Sequence, residues 1–322
     1  MTRIAIVGAG AIGGWVAARL GAAGFDVSLL ARGATLAAVA TDGLTLQEGA
    51  RTISVRPAVS DDAGALGPHD LVVFATKAHA LAAAAAAAEP LIGPDTLILP
   101  MLNGVPWWFL AEGGVGLDNV DPGGRIADAL PIGQVIGCVV HASTAVAAPG
   151  RIVHKAGNGL ILGEPAGGRS ERVEALAAVF EKAGFAATAS TDIRYDIWYK
   201  LWGNMTMNPI SALTGADCAA ILDDPLVQDF VLRTMAEAAE IGAAIGCPIR
   251  ESGADRIAVT RKLGAFRTSM LADAEAGRPL ELDALIGAPR EIARLRGIAT
   301  PNMDALHGLA RLFAETRGLV PA

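Results

Sequence analysis

The chain is poor in the residues that would mark it as secreted, metal-bound or nucleic-acid-binding. Its 322 residues include three cysteines, Cys138, Cys218 and Cys247, which are far apart, odd in number and part of no paired motif. That usage excludes a disulfide scaffold and a cysteine metal knuckle, and it fits a reducing cytoplasm. The five histidines show no ligand spacing, so no metal is expected. Charged residues make up only 18%, with a net charge of −7. No basic stripe balances a phosphate backbone, which argues against nucleic acid as the main partner. A small anion remains acceptable, because a local site can be positive in an acidic protein. Long apolar runs are missing too. The opening "MTRIAIVGAGAIGG" is broken by glycine after four apolar residues and continues as a helix, unlike a signal peptide. The alanine-rich "HALAAAAAAAEPLIG" is too short and too weakly apolar to span a bilayer, and it reads as a surface-packed helix of strong formers.

What is present is a globular composition, 52% hydrophobic, in a chain too long for one comfortable core. "RIAIV", "DVSLLAR", "DLVVFATK" and "DTLILPMLNG" read as strands with helices between them, the pattern of βαβ units and a parallel sheet. From about Pro131, "VIGCVVHASTAVA", "GRIVHKAG" and "GLILGEP" are strand-like runs expected to add to that sheet in antiparallel fashion. A helix over 171–185 and a short last strand, "AATAST", follow. From Asp192 the patterns are helical: a long helix ending at Gly246, another across "ADRIAVTRKLGAFRTSMLADAEAG", then "ALIGAPREIARLRG" and "PNMDALHGLARLFAETRG". The expected fold is α/β, a Rossmann-type dinucleotide-binding domain over 1–190 followed by an all-α domain over 191–322.

Gly8-x-Gly10-x-x-Gly13 closes the first strand and opens the first helix. The first glycine allows the tight turn, the second lets backbone approach a pyrophosphate, and the third lets helix and strand pack closely. Gly8, Gly10, Ala11, Ile12 and Gly13 are therefore candidate cofactor-binding positions, the helix start offering unpaired N–H groups to phosphates. The plain alternative is a glycine turn needed for packing. Where an NAD site wants an acid at the end of the second strand, this chain has Arg32. A guanidinium can clamp a 2′-phosphate, so NADP(H) is favoured over NAD(H); otherwise Arg32 is a solvated loop residue. Lys77 ends its strand at the same edge and is either a further positive charge there or an exposed lysine. Asn103, before Gly104, could orient a ribose or nicotinamide, or simply make an Asn-Gly turn.

In "YDIWYKLWGNMTMNP", Lys200, Asn204 and Asn208 are spaced by four. Each step of four turns about 40° past a full circle, so the three share one broad helix face, with a bend expected at Pro209. The aromatics and methionines around them explain themselves as packing; the lysine does not. Hydride delivery to a ketone builds an alkoxide that needs a proton and a positive neighbour, and an ammonium supplies both. Burial would ease release of that proton by disfavouring the charged form. The alternative is a snorkelling lysine.

With these pieces the chain resembles the ketopantoate reductase (2-dehydropantoate 2-reductase) family over nearly its whole length. The resemblance is carried by "VGAGAIGG", "NGV", "KLWGNMTMNPISALTG" and "TSMLADAEAGRPLELD". It implies NADPH-dependent reduction of a 2-oxo acid, with Lys200 as general acid and Glu281 holding the substrate hydroxyl and helping set the lysine's charge. It also implies Ser269 on the carboxylate, Asn204 and Asn208 completing the pocket, and Asn103 between cofactor and substrate. A small 2-oxo acid is the expected partner and a homodimer the candidate assembly. Two positions depart from the family pattern: an asparagine three before the serine is Phe266 here, and one eighteen after the lysine is Cys218. A ring and a thiol in place of two amides make the pocket less polar, and Trp107 and Trp108 suggest a more aromatic entrance. A reductase of a bulkier oxo acid, and an NADP-sensing protein without chemistry, are the competing readings.

Overall fold

The computed structural model describes residues 3–262 and 264–321. It contains two compact units, one built from the chain up to Leu102 together with Gly123–Arg194, the other from Asn103–Pro122 and the chain from Tyr195 on.

In the first unit, β1 (Arg3–Val7), β2 (Asp26–Leu30), β5 (Ala58–Ser60), β6 (His69–Phe74) and β7 (Ile92–Pro100) form one sheet in the order β5-β2-β1-β6-β7. All four pairings are parallel. The central strands β1, β2 and β6 are buried along almost their full length, as apolar runs covered on both faces must be. The chain runs outwards from β1 to β2 and β5, then returns to the other side of β1 for β6 and β7. That reversal creates a crevice at the carboxyl ends of β1 and β6, where ligands of such sheets bind.

The helix α1 (Ala11–Ala22) is buried nearly all round, with Trp15, Val16, Ala17, Ala18 and Leu20 fully inaccessible. A second sheet explains this. It runs β10-β9-β3-β4, with β8 also paired to β9, and comprises β3 (Leu44–Glu48), β4 (Arg51–Val55), β8 (Gly137–Ala148), β9 (Arg151–Gly163) and β10 (Ala186–Ser190). Gly14 of α1 abuts Ile152 of β9 so closely that a Cβ would sit 2.6 Å from its side chain.

The strand-like runs after Pro131 were expected to extend the first sheet, and the structure corrects this. Among the described residues their strand pairing with it is one isolated bridge, Ile98 with Val135. The β3–β4 hairpin, too polar to stand out in the sequence, offers the edge on which β9 pairs in parallel. β8 and β9 are antiparallel as expected, with register shifts near His141 and Ser143. "GRIVHKAG" and "GLILGEP" are one strand rather than two, because Gly157 (φ +70°) is absorbed as an irregularity in β9.

Five more helices complete the first unit: α2 (Gly33–Asp42), α3 (Ala63–Leu66), α4 (Leu81–Ala88), α5 (Arg125–Ala129) and, before β10, α6 (Glu171–Lys182). In the alanine-rich α4, Leu81, Ala85 and Ala88 turn inwards.

The second unit is helical, from α7 (Ile193–Thr214) through α8 (Cys218–Asp223), α9 (Pro225–Ala244), α10 (Gly253–Arg261), α11 (Ser269–Glu275), α12 (Ala288–Leu295) and α13 (Pro301–Thr316). The single helix expected over 254–277 is two, α10 and α11. The break has a local cause: Gly264 adopts φ +63°, and Thr268 caps α11 by accepting from the Leu271 N–H. Trp198 and Trp202 of α7 donate their indole N–H groups to Ala238 O and Met235 O of α9, at 3.2 and 2.8 Å. Among the described residues no helix is long and apolar enough to cross a membrane.

Candidate active site

The glycine motif sits at the carboxyl edge of the parallel sheet. Gly8 N–H donates to Leu30 O, Ala75 N–H to Val7 O and Met101 N–H to Phe74 O, so the ends of β1, β2, β6 and β7 are tied side by side. Gly8 has φ +96°, a conformation that disfavours any side chain. Gly13 lies so close to this turn that a Cβ would fall 1.9 Å from Gly8 O. At Gly10 a Cβ would meet nothing within 4 Å, leaving open space before the first turn of α1, where Ala11 and Ile12 lie. No side chain caps that helix. Thr76 Oγ1, just after β6, is buried without a partner, and its methyl lies 3.0 Å from where a Gly8 Cβ would be. An uncapped helix start, an open approach and an orphaned hydroxyl fit a dinucleotide's phosphates. Arg32 is exposed at the N-cap of α2, directly after β2, and Lys77 precedes the 3-10 turn Ala78–Ala80 after β6. Both therefore stand at this same sheet edge. Thr76 carries no sequence signal, since only the fold reveals that its hydroxyl lacks a partner.

The second cluster lies in the helical unit. Lys200 of α7 donates from Nζ to Asn103 Oδ1 at 2.8 Å in a partly buried setting. Asn204 is half-buried on the same helix face, Asn208 is buried, and the helix continues through Pro209 to Thr214. Trp198, two residues before the lysine, stacks on Phe109 with ring centroids 6.0 Å apart. Trp107 and Trp108 are buried, at 5% and 2% exposure, so they serve as packing here rather than as an open rim. Glu281 is buried, between Leu280 and Leu282. Ser269 is exposed as the first residue of α11.

The two departures from the family pattern meet: the Cys218 N–H donates to Phe266 O at 2.9 Å. Cys218 is buried while Phe266 is 37% exposed. Burial, with Asp217 beside it, pushes the Cys218 thiol up to about 11, which keeps it protonated and inert near neutrality. Immediately before Lys200, Tyr199 donates to Glu251 Oε2 at 2.7 Å, and burial with that bond pushes its phenol up to about 12. Arg256 lies over the Tyr199 ring. Neither Glu251 nor Arg256 stands out in the sequence, because each is one charged residue in a polar stretch.

A parallel sheet with a phosphate-type glycine turn, joined to a helical unit that sets a lysine against an amide, defines an oxidoreductase acting on CH–OH groups. Two family models match, ketopantoate reductase PanE/ApbA over residues 4–167 and its C-terminal domain over 192–314. A 2-dehydropantoate 2-reductase of Mesorhizobium japonicum is 44% identical over 98% of this chain and 99% of its own length. A candidate ketopantoate reductase solved from Ralstonia solanacearum MolK2 is 55% identical, with a TM-score of 0.96 over 99% of both chains. The 2-dehydropantoate 2-reductase structure from Methylococcus capsulatus, 30% identical, has a TM-score of 0.85 over 98% of this chain and 97% of its own. The chain belongs to the ketopantoate reductase family.

Proposed function

We propose that this chain reduces 2-dehydropantoate, a 2-oxo acid, to the 2-hydroxy acid pantoate with NADPH. The observation that carries the proposal is the 2.8 Å bond from Lys200 Nζ to Asn103 Oδ1. It aims an ammonium from a helix otherwise occupied with packing. The cofactor, when bound, supplies the hydride to C2 of the oxo acid. The carbonyl oxygen then gains negative charge, and Lys200 stabilises that charge and gives it a proton. Asn103, as a neutral acceptor, orients the amine without taking the proton. Glu281 holds the new hydroxyl, Ser269 takes the carboxylate end, and Asn204 and Asn208 line the remaining polar wall.

The glycine turn with the start of α1 holds the pyrophosphate, while Arg32, aided by Lys77, selects NADPH through the 2′-phosphate. In this reading residues 1–190 bind the cofactor, and 191–322 together with Asn103 supply the substrate and proton machinery. A cytoplasmic setting fits three cysteines that form no disulfide, and a homodimer is the proposed assembly.

A bulkier 2-oxo acid is the second reading. It is favoured by Cys218 and Phe266, joined through their backbones where two amides would make a more polar wall. A panel of 2-oxo acids assayed at the reduced-cofactor absorbance band separates the readings. The proposal expects NADPH oxidation with 2-dehydropantoate in preference to bulkier acids. Tight NADPH binding without turnover of any acid would instead identify a sensor.

A further inference from the structure

The segment that carries Asn103 is fastened to the helix that follows Glu281, and one proline explains how. Residues Asp283–Gly287 form a π-helical turn that runs into α12. Its register is set by the Ala288 N–H, which donates to Asp283 O, five residues back. Pro289 comes next and is buried. In an α-helical register its ring would crowd the Leu285 carbonyl, and it has no N–H to offer there. Widening the turn relieves that crowding.

The widening leaves one orphan. The Ala288 N–H is given to Asp283, and the donor five residues after Ala284 would be Pro289, which has none. Ala284 is 2% exposed, and a carbonyl so placed needs a donor. Val105 N–H supplies it, at 2.9 Å. The approach is so close that the preceding residue must be glycine: Gly104 has φ +85°, and a Cβ there would lie 2.4 Å from Ala284 O. Asn103, the acceptor for Lys200, is the residue before that. The far end of the segment is held by Glu291 of α12. It accepts from the Asp118 N–H at 2.8 Å, the Asn119 N–H at 2.9 Å and Asn119 Nδ2 at 2.7 Å.

We infer that Pro289 is a positioning residue for the reaction: by leaving the Ala284 carbonyl without a helical donor, it docks Gly104–Val105 there and so holds Asn103 against Lys200. This rests on the role given to Lys200 above. The π turn begins two residues after Glu281, so one backbone feature holds the lysine's partner and continues the segment bearing the proposed hydroxyl ligand.

Pro289→Ala tests it. The new N–H completes the helix ladder and competes with Val105 for its acceptor. The helix gains a hydrogen bond as the segment loses one, so the melting temperature should stay near that of the wild type. Turnover should nevertheless fall by roughly tenfold to a hundredfold, as for a misplaced catalytic group. Acetylation of Lys200 by acetic anhydride, followed by peptide mass spectrometry without substrate, should speed up. Gly104→Ala, a second route to the same displacement, should change turnover and labelling in the same directions. Neither substitution should add to the effect of Asn103→Ala, because both act through that residue. Wild-type turnover and labelling in folded Pro289→Ala, or effects that multiply with those of Asn103→Ala, would overturn the inference. Labelling needs no substrate, so a wild-type chain that turned over no 2-oxo acid would defeat the functional reading while Lys200 acetylation still decided this one.

Discussion

At the scale of the residue, the site depends on a few groups whose neighbours give them a use. Lys200 was visible in the sequence because an amine in a packed helix is out of place, and Asn204 and Asn208 because a spacing of four puts them beside it. Asn103 was visible only as an Asn-Gly pair after a strand. Its bond to Lys200 spans 97 positions of chain, a distance that local pattern does not report. Thr76, Ala284 and Pro289 had no local signal, since an orphaned oxygen or a missing donor exists only once the fold is made. Arg32 is the residue proposed to carry the cofactor preference at this scale. Arg32→Ala should weaken NADPH binding far more than NADH binding, measured by titration of each reduced cofactor, because only NADPH has the phosphate the guanidinium clamps. Equal losses for both would remove that assignment.

At the scale of the element, helices and strands were legible where hydrophobic period was strong and obscure where polarity or glycine intervened. The parallel strands β1, β2, β6 and β7 announced themselves as apolar runs. The β3–β4 hairpin did not, because its strands are half-exposed, and its absence from the reading sent β8 and β9 to the wrong sheet. A titratable contact between two elements gives a prediction of its own. His307 of α13 faces Arg290 of α12, whose Nη1 lies 2.8 Å from the ring Nδ1. Burial first, then Arg290 and Arg311, lower its pKa to about 4 from an ordinary 6.5. The folded state therefore keeps the ring neutral where the unfolded chain protonates it. The contribution is complete above pH 6.5 and is lost as pH falls from there towards about 4. His307→Gln should flatten this part of the melting-temperature profile between pH 7 and 5. An unchanged acid loss in that variant would place the sensitivity elsewhere.

At the scale of the whole molecule, the proposed function divides its labour between two units. The phosphate-type turn, Arg32 and Lys77 belong to one, and Lys200, Asn103, Glu281 and Ser269 to the other. The α/β-then-α order was legible from the change of pattern near residue 190. That Asn103–Pro122 packs with the helical unit was not, because its donors and acceptors are backbone groups and a distant Glu291. The division makes the central claim directly testable. Lys200→Ala removes the proposed proton donor from one unit and leaves the proposed cofactor residues of the other untouched. The decisive measurement is the turnover number of Lys200→Ala with 2-dehydropantoate, alongside its NADPH dissociation constant. The account predicts a turnover lower by about 10²–10⁴-fold with NADPH binding unchanged; turnover like that of the wild type would contradict it.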